Sequence, residues 1–466
     1  MVLSKSFRGR AAAGLAVLGA CALAACGGPG TSASTSTDSS ASADTSVPRQ
    51  DLTVTMWDQE AQNPINPGLE AAISQFEKLH PNISIKRVAP PGIGNESTVE
   101  STTKTKLAVS GSNPPTLVEG DTLPGGVLAP LIQAGLMRDM GPYVDAYGWD
   151  RRFRSIGGLT LDRYSNNTRR WGEGPVYGVP WYGSEIGVFY NRRLLEQIGV
   201  PLPKTFADFE ASLAAAKRAG ITPIVLGNSD RDGGGWLFNE LLADFLGAPE
   251  MLKWVLNKPG ATITGPDGVQ AAQTMKDWAD AGYFTKGYEG ISLTQQAAQF
   301  GRGEGLYMIA LHVLAPTKDP DGFGFFYVPD PNDAGRTPAT VNNAMWSFGI
   351  SANAPQEEAN AAAAFLDYLS SPQMQRQLAL RHGSLPVVPV DGHVDRGAVY
   401  DDLLQAWNEQ RASGTALPFL GSGTPLNYTY TTSIQGVQDL LAGRVSPAEL
   451  LDKIEEQQQA YVRAGK

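Results

Sequence analysis

Leu52-Thr53-Val54-Thr55-Met56-Trp57, running into the polar, proline-bearing stretch Asp58 to Pro67, decides the fold. Six residues of β-prone type that end in turn chemistry read as a short buried strand. A helix comes next, because Leu69, Ala72, Ile73, Phe76 and Leu79 keep the three-and-four spacing of one apolar face, and His80-Pro81-Asn82 stops it. Ile83 to Val88 is a second strand, with Ile83 and Ile85 alternating. After the loop Pro90 to Gly94, Ser97-Thr98-Val99-Glu100 has the spacing of a capping box and opens a helix to about Ser110. Pro115 to Glu119 is the third strand. Strand, helix, strand, helix, strand at these lengths predicts a doubly wound α/β sheet of parallel strands. Ligands gather at the carboxyl ends of such strands, here Trp57 to Glu60 and Glu119 to Asp121.

A second α/β series begins near Tyr177. Gly187 to Tyr190, Ile224 to Leu226, Leu306 to Ala310, Phe325 to Val328 and Trp346 to Ile350 read as strands. Between them fall helices over Arg193 to Ile198, from the cap Thr205-Phe206-Ala207-Asp208, and over Leu237 to Leu246 and Val269 to Ala281. The remainder is helical, over Pro355 to Leu369, Pro372 to His382 and Ser446 to Val462, the last opened by Ser446, Pro447 and Glu449 in capping order. Two such series joined by crossing strands place a cleft between two lobes.

Before the first strand, Lys5, Arg8 and Arg10 precede an apolar run from Ala11 to Leu23, the pattern of an export signal. That run is shorter than the roughly 20 apolar residues that span a bilayer. Leu23-Ala24-Ala25-Cys26, with Gly27-Gly28 directly after it, resembles the bacterial lipobox. The resemblance implies cleavage before Cys26 and acylation of its thiol; the alternative is an ordinary signal in which Cys26 is incidental. From Thr31 to Ser46, 11 of 16 residues are Ser or Thr, so the segment has little to bury and reads as a flexible tether. The chain has two cysteines, Cys21 in the leader and Cys26. The mature chain therefore has no thiol left for a disulfide, a thiolate metal site or a Cys nucleophile.

The chain carries 37 basic and 47 acidic residues, and removing Lys5, Arg8 and Arg10 with the leader widens the imbalance. No basic run exceeds the pairs Arg151-Arg152 and Arg169-Arg170, so a nucleic-acid partner is not expected.

Four stretches carry a resemblance to the extracellular solute-binding proteins of ATP-driven importers, in particular the sugar-binding group that includes maltose-binding protein. Gly178-Val179-Pro180, Gly187-Val188-Phe189-Tyr190-Asn191-Arg192-Arg193-Leu194-Leu195 and Pro203-Lys204-Thr205-Phe206-Ala207-Asp208-Phe209 look like the group's central signature. Ala298-Gln299-Phe300-Gly301-Arg302-Gly303-Glu304-Gly305-Leu306-Tyr307-Met308 is similar to the segment before its cleft loop. Ala359 to Ser371 with Pro372-Gln373-Met374-Gln375 resembles its late helix pair, and Gly383-Ser384-Leu385-Pro386 resembles the turn after that pair. The resemblance implies a two-lobed periplasmic-binding fold of type II. Its parts are a signal peptide over 1–25, a lipidated tether over 26–50, an N-lobe of 51–181 and 348–395, and a C-lobe of 182–347 and 396–466. The chain is expected to cross between lobes near Pro180 to Ser184, Ser347 and Asp395. It implies a monomeric receptor outside the cytoplasmic membrane, partnered by importer permease subunits, with no cofactor, no metal and no catalytic residue.

Carried over by position, the cleft is lined by Gln59, Glu60, Asp121, Tyr182, Ser184, Trp236, His312, Trp346 and Tyr428. Many relatives have a tryptophan where this chain reads Ala310-Leu311-His312-Val313-Leu314, which leaves one stacking position open. Residue chemistry adds candidates. A pyranose has apolar C–H faces and a belt of hydroxyls, so its site needs aromatic plates with carboxylate or amide partners. Trp181-Tyr182, Trp236 with Asn239, and Asn342-Asn343 beside Trp346 supply those types, as do Glu119 and Asn228. The competing readings are packing for the tryptophans, helix capping or solvation for the carboxylates and a turn for Asn228. Trp171, Trp254, Trp278 and Trp407 read as packing.

An exported enzyme is the reading from another class. There is no Gly-x-Ser-x-Gly and no His-Glu-x-x-His, and His80, His312, His382 and His393 are far apart. Ser101-Thr102-Thr103-Lys104 has no Lys-Thr-Gly to accompany it. A pair of carboxylates acting on a glycoside stays open. A nearer rival is a binder of a polyamine, a sugar phosphate or a peptide, with Glu60, Glu119, Asp121 and Glu185 favouring a cation.

Overall fold

The computed structural model describes residues 43–62, 64–88, 98–332, 338–413, 416–418, 420–425 and 429–464. Residues 1–42, which include the expected leader, Cys26 and most of the expected tether, lie outside the described residues, as do Ser97 and Tyr428. No helix among the described residues is long and apolar enough to cross a membrane.

Ten strands organise the described residues: β1 (Leu52–Trp57), β2 (Ile83–Val88), β3 (Leu117–Gly120), β4 (Arg163–Ser165), β5 (Arg170–Val176), β6 (Val179–Asn191), β7 (Tyr307–Leu311), β8 (Phe323–Phe326), β9 (Thr340–Ile350) and β10 (Ala416–Leu417). The main sheet runs β2-β1-β3-β9-β6-β7, with β8 also on β6 and β10 on β9. β1 pairs in parallel with β2 and β3, as the alternating strand and helix pattern predicts. The intervening helix is Asn66–Leu79, with Leu69, Ala72, Ile73 and Phe76 buried. The sheet then departs from the all-parallel expectation, because β9 is antiparallel to both β3 and β6. β7 and β8 continue antiparallel on the far half of β6.

β6 is 13 residues long and buried throughout. Val179, Trp181 and Tyr182 belong to one hydrophobic core, shared with Val54, Phe76, Phe348 and Phe365. Ile186, Val188, Phe189 and Tyr190 belong to another, shared with Phe209, Trp278, Tyr307 and Leu450. One strand thus passes through two cores. Between its halves Gly183 makes room for the ring of Trp407, since a Cβ there would lie 2.2 Å from Cη2 of that ring. Its N–H donates to the Leu385 carbonyl at 2.8 Å.

The predicted helices are present, and their caps explain their starts. Thr205 and Asp208 exchange side-chain to backbone bonds in a full capping box, as do Ser446 and Glu449. Such caps contribute about 1 kcal/mol each. Ile224 to Leu226 is not a strand. Ile224 makes single bridges to Phe284 and Tyr307, and between Pro223 and Gly227 the ladder has no room to extend. The helix expected from Leu237 begins earlier, at Asp232. Gly233 and Gly234 allow this, because a Cβ would meet the Gly227 carbonyl at 2.0 Å and the Asn228 side chain at 2.8 Å.

Candidate functional site

The site is built at the end of β1. Asp58, fully buried, is gripped by Arg87 from β2 through Nε and Nη2, both at 2.6 Å. The same guanidinium donates to Asn66 at 2.5 Å. Asp58 in turn accepts the Glu60 N–H at 2.9 Å, so a bidentate ion pair shapes the turn that presents Glu60. Losing either partner of such a buried pair costs about 3–5 kcal/mol.

Glu119 on β3 accepts the Gln59 N–H at 2.9 Å on Oε2 and the Trp181 indole N–H at 2.8 Å on Oε1. Tyr182 donates its hydroxyl to Glu60 Oε1 at 3.0 Å. Trp346, facing Tyr182 across the β6–β9 ladder, stacks on its ring at 6.2 Å between centroids and 6° between planes. Gln59, Glu60, Glu119, Trp181, Tyr182 and Trp346 therefore form one constellation joined by hydrogen bonds and ring contact. Trp346 is half-buried while Glu60, Glu119, Trp181 and Tyr182 are buried.

Burial pushes the Glu60 carboxyl up to about 7, and neighbouring Asp58 adds to the shift. Glu119 is held well above the usual carboxylate range by burial, then by Glu60 and Asp58. Two carboxyls placed so close keep a proton between them near neutral pH. The pair therefore offers donor and acceptor atoms beside an aromatic wall. Next to it, Asp162 is raised to about 7 by burial, while Ser347 Oγ donates to it at 2.7 Å and Thr122 Oγ1 at 3.3 Å. Asp121 is buried just beyond β3 and raises Asp162 further.

Other candidates sit apart. Ser184 is buried on β6 opposite the backbone of Asn343, and Glu185 is opposite that of Asn342; the side chains of both asparagines lie outside the description. Asn228 accepts the Gly234 N–H at 2.9 Å, a cap-like bond at the start of the helix Asp232–Leu246, while its buried Nδ2 has no partner among the described residues. Trp236 lies in that helix, not in a loop, and packs in the second core. Asn239 donates one turn back to the Gly235 carbonyl at 2.7 Å. His312 is buried with neither ring nitrogen bonded among the described residues, and burial lowers it to about 3, so it is neutral. No hydrogen bond or ring contact among the described residues joins Asn228, Trp236, Asn239 or His312 to the Glu60 constellation. Trp171, Trp254, Trp278 and Trp407 are buried as packing residues.

Sequence reasoning did not single out Asp58 and Arg87, which position Glu60, nor Tyr327 and Arg411, which join Glu185 in a buried trio. Tyr327 donates its hydroxyl to Glu185 Oε2, and Arg411 donates to the Pro386 carbonyl at 2.8 Å. Among the described residues no group of three or more His, Cys, Asp or Glu could hold a metal ion.

Comparison with known proteins places this geometry. The family described as bacterial extracellular solute-binding protein matches residues 62–376. A probable sugar-binding periplasmic protein from Mesorhizobium japonicum is 29% identical over 157 residues, 33% of this chain and 34% of the relative. The match thus spans about a third of that relative's length. Among solved structures, a chitin oligosaccharide binding protein superposes with a TM-score of 0.70 at 21% identity, over 89% of this chain and 100% of that one. A probable secreted solute-binding lipoprotein from Streptomyces coelicolor superposes with a TM-score of 0.67 at 18% identity, over 87% and 98%. These neighbours fix the two-lobed binding-protein fold.

Proposed function

This chain belongs to the family of bacterial extracellular solute-binding proteins, and from that premise we propose that it captures a neutral mono- or oligosaccharide and hands it to the permease of an ATP-driven importer. The observation that carries the reading is the half-buried Trp346 stacked on Tyr182, beside the carboxyl pair Glu60 and Glu119. A sugar's C–H face rests on an aromatic plate, and its hydroxyls need partners that both donate and accept. A carboxyl pair that retains a proton near neutral pH is such a partner, and it does not demand a cation. The sugar-binding relative and the chitin oligosaccharide binding protein support the same ligand class.

The lobe boundaries stay as the sequence implies them, 51–181 with 348–395 and 182–347 with 396–466. The change of core on β6, between Tyr182 and Ile186, supports a crossing in that strand close to the first of these bounds. Ligand contacts made from both lobes favour the closed arrangement, and that closed surface meets the permease. Gly125, after β3, already abuts the Gly421 carbonyl so closely that a Cβ would lie 1.9 Å from it. Contact between those two segments suits a closing cleft. In this reading the chain is a monomer and turns over no ligand. It needs no cofactor, and an acylated Cys26 keeps it on the outer face of the cytoplasmic membrane. A Cys26→Ala chain is expected in the soluble fraction; its retention in the membrane pellet refutes the anchor.

The test is thermal unfolding of the full chain against neutral mono- and oligosaccharides, polyamines, peptides and sugar phosphates, with product formation followed in parallel. A ligand at one hundred times its dissociation constant adds about 2.7 kcal/mol to native stability. A rise with one sugar class and no product supports the receptor. A rise only with amines, peptides or phosphates overturns the ligand class, and turnover overturns the receptor.

A further inference from the structure

A second recess lies away from the Glu60 constellation, with a cavity of about 440 Å3. Arg169 reaches it from the turn between β4 and β5 and Arg170 from the start of β5, Asn257 and Lys258 from the end of the helix Ala248–Val255, and Gln458 and Gln459 from the helix Pro447–Arg463. Its size is that of a small-ligand site. Three cations face it and no described Asp or Glu lines it, in a chain with ten more acidic than basic residues. Two carboxylates lie beside it and both are engaged: Glu455 accepts from the Trp254 and Gln459 side chains, each at 2.8 Å, and Glu173 accepts from Thr168 Oγ1 at 2.7 Å. Arg170 and Lys258 have no ion pair or side-chain hydrogen bond among the described residues.

The backbone gives a second, independent observation. Three non-glycine residues among those described have positive φ: Arg169, Arg231 and Asn257. Two of the three, Arg169 and Asn257, both at φ 53°, line this one recess from separate elements. A left-handed arginine costs about 1 kcal/mol or more and persists where its surroundings fix it, which is characteristic of ligand sites. Asn257 is fixed: its Oδ1 accepts from Gln458 Nε2 at 2.6 Å, and Gln458 Oε1 accepts from Thr429 at 2.6 Å. That polarity leaves the Asn257 amide N–H pair to donate.

We propose that this recess binds a phosphoryl oxyanion, with Arg170 and Lys258 as its charge partners and Asn257 as a neutral donor. Guanidinium groups match the oxygens of such anions in bidentate fashion, and an ammonium adds a point charge. The hairpin side of the recess is rooted through Trp171 in a cluster with Leu128 and Leu131, and the opposite side through Trp254 in the second core. A bound anion therefore ties the hairpin to the second core. The phosphoryl group comes either from a soluble phosphate or from the headgroup of a lipid.

The full chain is compared with its Arg170→Glu/Lys258→Glu variant by calorimetric titration with inorganic phosphate and by sedimentation with phosphatidylglycerol vesicles, using phosphatidylcholine vesicles as the blank. Binding is expected in at least one arm and at least tenfold weaker in the variant. Binding to inorganic phosphate identifies a soluble source, and binding to the anionic vesicles alone identifies the headgroup. Reversing the exposed Lys86 and Arg218, which lie outside the recess, leaves binding in place. The milder Arg170→Gln/Lys258→Gln pair repeats the test if charge reversal disturbs folding. Absence of binding in both arms, or an equal loss on reversing Lys86 and Arg218, overturns the proposal.

Discussion

Trp346→Ala is expected to weaken sugar binding by about ten- to a hundredfold, or roughly 1.4–2.7 kcal/mol, while thermal unfolding stays cooperative. The magnitude comes from where the indole sits. Buried aromatic anchors dominate binding energies when they are desolvated by the ligand, and Trp346 is half-buried, so it has surface left to lose. Its other face is fixed by the ring of Tyr182 at 6.2 Å, and Tyr182 is itself held by Glu60 at 3.0 Å. The plate is therefore ordered before ligand arrives, and little entropy is spent on binding. Truncation spares folding, because Trp346 packs on the margin of its core and does not form its centre. The measurement is the dissociation constant of whichever sugar shifts the unfolding temperature. An unchanged constant removes Trp346 from the cleft, and loss of the cooperative transition makes it a packing residue.

The parts of this architecture that were legible are those where one local signal decides. β1, the helix Asn66–Leu79 and β2 carry uninterrupted periodicities, and each lies where its pattern predicts. β6 is the opposite case. Its sequence is broken by Pro180, Gly183 and Gly187, so only Gly187 to Tyr190 reads as strand, yet the backbone runs extended from Val179 to Asn191. The interruptions have physical reasons: Gly183 and Gly187 give way to the rings of Trp407 and Phe325. The β4–β5 hairpin was invisible for a related reason, since Gly172 and Gly174 with Pro175 resemble a loop. In the Glu60 constellation, Gln59, Glu60, Tyr182 and Trp346 are positions the resemblance implies, and Glu119 and Trp181 are ones residue type adds. Neither points to Arg87, because the bond to Asp58 joins positions 29 residues apart and nothing in either local sequence announces it. Tertiary pairing of charge is not written in periodicity.

Glu185→Gln is expected to flatten the loss of stability that the native chain undergoes as pH rises toward 8. Glu185 lies on β6 with no exposed surface. Burial raises its carboxyl from 4.5 to about 8; the Tyr327 hydroxyl and the Arg411 guanidinium pull the other way without cancelling the desolvation. Arg411 is lowered to about 10 by its own burial, so it remains a cation throughout this range. Tyr327 is held well above its ordinary value by burial and by the charges of Glu185 and Glu240, so it stays a hydroxyl donor. Between pH 4.5 and about 8 the folded chain thus keeps a proton on Glu185 that the unfolded chain has released. Stability is fully present below 4.5 and falls as pH rises through that window. The slope is about 1.4 kcal/mol per pH unit for one such group. His312 opposes it lower down: lowered from 6.5 to about 3, it costs stability as pH falls through that interval because only the unfolded chain protonates. Above about 6.5 this opposition ends, and Glu60 and Asp162, each near 7, share the descent with Glu185 only up to their own values. From pH 7 to 8 Glu185 shares the descent with Glu119, which burial also holds well above the usual carboxylate range. Glutamine keeps an acceptor for Tyr327 and has no proton to lose, so the variant's unfolding temperature should fall less than the native chain's across that unit. The comparison is the unfolding temperature of the two proteins at pH 6, 7, 8 and 9 at fixed ionic strength; parallel curves place the native proton elsewhere.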